Sequence, residues 1–475
     1  MICSRVRLTW LIGDRPRYLS LVGVTSVDEC HSFVVAIQLP EGRSLLINLI
    51  SGALDVVDRE TSRFVKEGSG TVSPDVRAQL WARGYSQDAT VPLWRELAKK
   101  QKEPTIVVCM TLECPLNCYY CFQNDSRRKG ARALLTLNES RFNACLRAIG
   151  RLTTDHQVEE VVITGGEPLQ AGLESFIYRM LSYFHAHGVS AAIVTSGIGT
   201  KECWAGLSKH KHALRRIQVT LDGPKPVHNA RRCSSAGYGT YDDAVYTVHR
   251  ALEADVNVTL RVNIDRGNID TLENTLGLLS RCGWWPHRKV KVSIARIQYR
   301  QHPSKLQVSE SELLLKCVEL GLFPDNTGCI EYAGAFKVLG PLAELVEWTV
   351  APSGAAPQFH PQGYYCEAAA GSSFLLGPDG LVYGCGELIG TPEAAVGRYA
   401  PRLTLFEREA RPATDVAECV NCEILPLCAG GCPLVARVRH NDWRKAGCEG
   451  QDKWALEYIR ARGQRLAEVL EGCSV

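Results

Sequence analysis

This sequence has no uninterrupted apolar run of eighteen residues, so it offers no membrane-spanning helix. Its opening stretch, MICSRVRLTWLIGDRPRYL, breaks a short apolar patch with Arg and Asp, and it shows neither an h-region nor a cleavage site. A secretory signal is therefore not expected, and the chain is read as cytoplasmic. Charge of one sign is also lacking: 54 Lys and Arg stand against 51 Asp and Glu, a net charge of +3. That balance points to no nucleic-acid partner and no membrane surface. The one local basic run, SRRKGAR at 126–132, reads as a solvated loop. Internal repeats and low-complexity tracts are absent, which excludes solenoids and arrays.

What is abundant is cysteine: 20 in 475 residues. In a large chain without an export signal, cysteines at short spacings point to a reducing compartment and to metal or iron–sulfur ligation rather than to disulfides. Thiolates are soft ligands that suit zinc and iron–sulfur clusters. The stretch CPLNCYYC places Cys114, Cys118 and Cys121 at spacings of four and three. Random placement of this many cysteines would produce that triple roughly 0.04 times. Structural zinc takes four protein ligands, so three thiolates in one loop leave a coordination position free.

The chain is too long for one ordinary core. Residues 1–100 hold the β-rich runs SFVVAIQL and SLLINLI around the turn PEGR. A turn into a helix follows, capped by Asp58 or Thr61, then a short helix capped by Ser73 with Pro74 at its first position. Together they predict a winged-helix-like module, ending in a charged linker at 94–104. Over 101–300, strand-like runs at 105–112, 159–165, 190–197, 216–223, 256–264 and 290–297 alternate with helical patterns. The expected fold class is α/β, a partial (β/α)6 TIM-like barrel. Residues 301–365 read as a bridging region with a helix at SESELLLKCVELGL, 366–450 as a cysteine-rich iron–sulfur domain, and 451–475 as a C-terminal helix. In βα folds chemistry sits beyond the strand C-termini, where Cys114 follows the first strand.

The strand ends carry further motifs in order: TGGEP (164–168), VTSG (194–197), QVTLDGP (218–224) and RVNID (261–265). With CxxxCxxC after the first strand and Tyr120 before its last cysteine, this series resembles the radical S-adenosylmethionine superfamily. The resemblance implies that Cys114, Cys118 and Cys121 bind a catalytic [4Fe–4S] cluster whose fourth iron chelates S-adenosylmethionine. It further implies cofactor contacts from Tyr120, Gly165, Gly166, Glu167, Pro168, Thr195, Ser196, Thr220, Asp222 and Asn263. Ser196 stands where the family more often has Asn. Within LDGPKPVHNARRC, Arg231 or Arg232 is a further candidate for binding cofactor or substrate.

Cys366, Gly380, Cys385, Cys419, Cys422, Cys428, Cys432 and Cys448 follow in the order and spacing of the SPASM domain. By that resemblance two auxiliary [4Fe–4S] clusters are implied, three clusters in all. Cys419, Cys422, Cys428 and Cys448 would hold the distal one, and Cys366, Cys385 and Cys432 the proximal one. An eighth cysteine just before Cys366 is missing. His360 or Cys329 could supply the fourth ligand, or the position is open to a substrate thiol. The other cysteines read as buried small hydrophobes.

Enzymes similar to this pair of domains modify peptides or proteins. The N-terminal module resembles the part of ribosomal-peptide maturases that binds a leader peptide as an added strand. The expected function is a radical S-adenosylmethionine maturase installing a thioether or other crosslink in a precursor peptide, served by a flavodoxin- or ferredoxin-type electron donor. The alternatives are sulfatase-maturase-like oxidation of Cys or Ser to formylglycine and a non-enzymatic iron–sulfur redox protein. Sulfatase maturases carry a catalytic Asp directly after the second SPASM cysteine. Here Gly386 and Glu387 follow Cys385, so Glu387 is the candidate base.

Overall fold

In a computed structural model, residues 33–85, 94, 96, 102–123, 136–234, 236–300, 304–325, 327–332, 334–351 and 359–472 are described. The N-terminal 32 residues, the basic run at 126–132 and most of the linker at 94–104 lie outside them.

The N-terminal part is a three-stranded antiparallel meander, β1 (Val34–Gln38), β2 (Arg43–Asn48) and β3 (Leu54–Asp58), with helices α1 (Arg59–Glu67) and α2 (Pro74–Ala82). The caps fall where the sequence places them: Asp58 accepts from the Thr61 amide and Ser73 from the Val76 amide. The third strand was not expected, because LDVVD was read as part of the approach to α1. It forms because Asn48 closes a tight turn. Its Oδ1 accepts from the Ile50 and Ser51 amides, and the chain returns antiparallel to β2.

All six expected strands are present as β4 (Thr105–Cys109), β5 (Glu160–Thr164), β6 (Ser190–Thr195), β7 (Leu214–Thr220), β8 (Asn257–Ile264) and β9 (Val290–Arg296). They pair in sequence order, all parallel. Helices cover the outer face: α3 (Glu139–His156), α4 (Glu174–Ala186), α5 (Thr200–Leu207), α6 (Lys225–Arg231), α7 (Tyr241–Glu253) and α8 (Leu272–Arg281). Each alternates with a strand because its apolar stripe must be buried against the sheet; α3 buries Phe142, Cys145, Ile149 and Leu152.

The sheet runs past the six-strand barrel at both ends, to eleven strands. β10 (Ile330–Glu331) adds parallel to β9 after helix α9 (Glu310–Glu319), which Ser309 caps. At the other end β11 (Ser373–Leu376) pairs parallel with β4, and β12 (Leu381–Tyr383), β13 (Ala395–Arg398) and β14 (Thr404–Leu405) continue antiparallel. The cysteine-rich region shows little strand or helix periodicity in its sequence. Its first half instead prolongs the barrel sheet, turning between β11 and β12 at Gly380, whose φ of +92° suits glycine. Helix α10 (Gly340–Val350) lies in the bridging region, and α11 (Glu367–Ala370), α12 (Leu425–Cys428), α13 (Pro433–His440) and α14 (Gln451–Gly472) complete the chain. α14 packs on α9, α10, β1 and β3, so the N-terminal meander and the C-terminal helix share one core. Among the described residues no helix is long and apolar enough to cross a membrane.

Candidate functional site

The loop after β4 carries Cys114, Cys118 and Cys121 at the C-terminal end of the parallel sheet. Cys118 is buried; the other two are partly exposed. The Cys121 amide bonds the Cys118 carbonyl at 3.1 Å, and the Asn117 amide bonds the Cys233 carbonyl at 2.9 Å, which anchors the loop to the segment after α6. Burial raises the Cys118 pKa, while the nearby Arg232 lowers it.

TGGEP lies directly against this loop. The Gly166 amide donates to Thr111 O at 2.6 Å and the Glu167 amide to Glu113 O at 2.9 Å. A side chain at Gly166 would put its Cβ 1.9 Å from Glu113 O, so only glycine permits the approach. Pro168 is buried behind it. The Glu167 carboxylate is fully buried and ties this motif to the next. It accepts from Thr195 Oγ1 at 2.7 Å, the Ser196 amide at 2.8 Å, Ser196 Oγ at 2.5 Å and the Leu169 amide at 3.0 Å. Burial pushes its pKa up against these four bonds, which pull it down. Of this pair of motifs, Gly165 and Gly166 keep backbone exposed toward the loop, whereas Thr195, Ser196 and Glu167 are spent on one another.

The remaining sequence candidates form a buried polar network. Tyr120 Oη donates to Asp222 and accepts from Arg232 Nη1 at 2.8 Å. Asp222 Oδ1 accepts the Asn263 amide at 3.0 Å; Thr220, at the end of β7, is nearly buried. Arg231 is enclosed among carboxylates, bonding Asp265 Oδ1 at 2.7 Å and Asp222 Oδ2 at 3.5 Å, and its guanidinium lies over both Tyr119 and Tyr120 rings. Arg231 is thus a clamp on the cysteine loop, and Arg232 is the arginine nearer the thiols. Sequence reasoning missed Tyr119 and Asp265, although both stand in quoted motifs. Tyr119 Oη donates to Asp265 Oδ2 at 2.6 Å, and Asp265 also accepts from the Gly267 amide at 2.8 Å and Tyr299 Oη at 3.0 Å.

The seven later cysteines fall into two groups. Cys448 lies close enough to Cys419, Cys422 and Cys428 to raise the pKa of each, added to the larger effect of burial, which with these neighbours takes Cys419 to about 11. Cys366, Cys385 and Cys432 form the second group and line one cleft of about 550 Å³. Burial pushes Cys385 up to about 12. Arg411, which the sequence did not single out, sits between the groups. It is buried and donates to the carbonyls of Gly430 at 2.8 Å, Gly431 at 3.0 Å and Lys445 at 2.6 Å. Gly431 (φ +75°) lies against Gly447, where an added Cβ would meet Gly447 O at 2.3 Å. This contact brings Cys448 back beside Cys428 and Cys432.

Glu387 turns to Arg300, and the ion pair is largely buried, 17% and 11% exposed. His360 is exposed. Cys329 lies at the N-terminal end of β10, its thiol near the His287 and Thr327 carbonyls.

Among the described residues no three His, Cys, Asp or Glu side chains converge tightly enough for one metal ion. The donors grouped here are all thiols, the ligands that most iron–sulfur clusters use.

Residues 108–279 match the Radical SAM superfamily. A cysteine-type anaerobic sulfatase-maturating enzyme of Clostridium perfringens is 27% identical over 157 residues, 32% of this chain and 40% of that protein. The Fe-coproporphyrin III synthase of Methanosarcina barkeri is 25% identical over 211 residues, 44% of this chain and 48% of that one. The chain thus spans two fifths to a half of the length of these relatives. The solved structure of native anSMEcpe with bound AdoMet and Kp18Cys peptide superposes with a TM-score of 0.53 at 14% identity, covering 78% of this chain and 99% of that one, a likeness of fold. The cysteine loop, the glycines packed against it and strands β5 to β8 all lie within residues 108–279, the segment that matches the Radical SAM superfamily.

Proposed function

We propose that this protein is a radical SAM enzyme that modifies a peptide, with one catalytic and two auxiliary [4Fe–4S] clusters. The observation that carries the reading is the packing of TGGEP onto the cysteine loop, where Gly166 meets the backbone of Glu113 and Cys114 with no side chain between. Cys114, Cys118 and Cys121 would hold the catalytic cluster. When bound, the cluster and S-adenosylmethionine supply a 5′-deoxyadenosyl radical that abstracts a substrate hydrogen. The chain's own residues bind, orient and shield. Gly165 and Gly166 let the end of β5 pack directly on the backbone of the cysteine loop and so fix where that loop stands. Glu167 holds the ends of β5 and β6 together, and Tyr120, Asp222 and Asn263 close the wall at β7 and β8. Arg232 beside Cys118 favours the thiolate that ligation requires.

Cys419, Cys422, Cys428 and Cys448 would hold the distal auxiliary cluster, and Cys366, Cys385 and Cys432 the proximal one. The Cys329 thiol is turned to the His287 and Thr327 carbonyls and does not line the cleft of Cys366, Cys385 and Cys432, which favours an open position where a substrate thiol binds. A thioether crosslink in a precursor peptide is the product that follows. The N-terminal meander with α1 and α2 would bind the leader by strand addition, and a flavodoxin- or ferredoxin-type donor in the cytoplasm would supply electrons. Oxidation of a peptidyl Cys or Ser to formylglycine is the second reading. It is favoured by the sulfatase-maturating relative and by the binding of a peptide by anSMEcpe. In that case Glu387, beside Cys385, is the carboxylate available as base.

Anaerobic reconstitution followed by iron analysis tests the core of the proposal. About twelve irons per chain are expected, falling to about eight in a Cys114/Cys118/Cys121→Ala variant that forms no 5′-deoxyadenosine. A total near four would remove the auxiliary clusters and the peptide-maturase reading with them. Incubation with cysteine- and serine-containing peptides separates the products: a loss of two hydrogens with a new sulfur–carbon bond marks the crosslink, and an aldehyde marks formylglycine.

A further inference from the structure

Two neighbouring residues just beyond β9 reach in opposite directions. Tyr299 Oη donates to Asp265 Oδ2 at 3.0 Å, the same oxygen that accepts Tyr119 Oη, one residue after Cys118. Arg300 Nη1 pairs with Glu387, two residues after Cys385, and it lies in the field of Cys432 and Cys385. The two residues are adjacent, with Cα atoms about 3.8 Å apart, and Arg300 stands at a bend. No flexible segment therefore intervenes between the two contacts. Asp265 is rigidly held by Arg231 and the Gly267 amide.

The β4–β11 ladder fixes the strands that lead into the two cysteine regions. Loops beyond strand ends have no continuous ladder, so side-chain bonds add to the few backbone bonds that place them. Charge-assisted bonds in a desolvated setting are the ones strong enough for that.

We propose that Tyr299 and Arg300 are positioning residues that hold the Cys114–Cys121 loop and the Cys385 loop in fixed relation to each other. The inference rests on the proposed function, in which a substrate carbon activated at the first loop must meet a group held at the second. It assigns the strap between β9 and residue 300 a role that neither cysteine motif reveals.

The test is hydrogen–deuterium exchange by mass spectrometry on anaerobic, iron-loaded protein, comparing Tyr299→Phe, Arg300→Gln and Arg300→Lys with wild type. In Tyr299→Phe and in Arg300→Gln, exchange is expected to rise about tenfold at both 112–121 and 385–388. Arg300→Lys, which keeps the charge but not the fork, is expected to fall between. Iron per chain stays at the wild-type value, which separates displaced loops from lost clusters. The proposal is overturned if each variant loosens only the loop it touches, or neither, or if Arg300→Lys also sheds its iron. Wild-type protein that fails to make 5′-deoxyadenosine yet shows the two-loop response would overturn the proposed function and leave the strap standing.

Discussion

Replacing Gly166 with alanine is the sharpest probe of how the site is built. The added Cβ would lie 1.9 Å from Glu113 O, 2.4 Å from Glu113 C and 3.0 Å from the Cys114 amide, all backbone atoms. Ordinary contact begins near 3.4 Å, so the cysteine loop must retreat by about 1.5 Å. No side chain can rotate away to absorb that shift. Retreat breaks the Gly166–Thr111 and Glu167–Glu113 backbone bonds, 2.6 and 2.9 Å. At about 1 kcal/mol each, with about 1–3 kcal/mol for overpacking, the local cost is about 3–5 kcal/mol. Misplacing reacting groups by about 1 Å lowers rates on the order of a hundredfold. The assay is iron per chain after anaerobic reconstitution, together with 5′-deoxyadenosine formed from S-adenosylmethionine with dithionite as the reductant and no peptide present. A drop of about four irons, or retained iron with a rate about a hundredfold lower, is expected. A variant with wild-type iron and a rate within about twofold of wild type would refute the reasoning, because the loop would then not be held against these glycines.

Gly463, inside α14, is the counterpart: an alanine Cβ meets only Ile37 Cγ2 at 3.9 Å, so Gly463→Ala is expected to stabilise by about 0.5–1 kcal/mol in thermal denaturation. Truncating Arg411 to alanine strips its bonds to the Gly430, Gly431 and Lys445 carbonyls. The loops that carry Cys432 and Cys448 then lose their common anchor, at about 3–5 kcal/mol, and iron is expected to fall from about twelve to about four per chain. His228 is buried, accepting from the Asp222 amide and bonding Thr240 Oγ1, and burial lowers its pKa from 6.5 to about 4. A depressed folded pKa means that the unfolded chain binds the extra proton between pH 6.5 and 4. Stability is therefore complete above pH 6.5 and is lost as pH falls toward 4, by about 3 kcal/mol. The pH dependence of the melting temperature should flatten in His228→Gln.

The order of the elements and the chemistry of the first loop were legible in the sequence because both are local. Alternating βα periodicity, the caps at Asp58, Ser73 and Ser309, and cysteines a few residues apart depend on near neighbours. So does the run of strand-end motifs, which had only to be read in order. The resemblance to the SPASM pattern divides the late cysteines into two sets; in the structure Cys448 lies beside Cys419, Cys422 and Cys428, and Cys366, Cys385 and Cys432 line one cleft. What the sequence could not state was set by contacts across long separations. LDVVD became a third strand because of a turn at Asn48. The cysteine-rich segment joined the barrel because β11 pairs with β4, some 270 residues away. Glu167 and Asp222, read as cofactor contacts, turned out to be enclosed by polar partners from other strands. Tyr299, Arg300 and Arg411 carry no motif, since an arginine or tyrosine takes its meaning from the carbonyls and carboxylates it reaches. Spacing along the chain determines which thiols can share a loop; only tertiary packing decides which buried charges hold those loops in place.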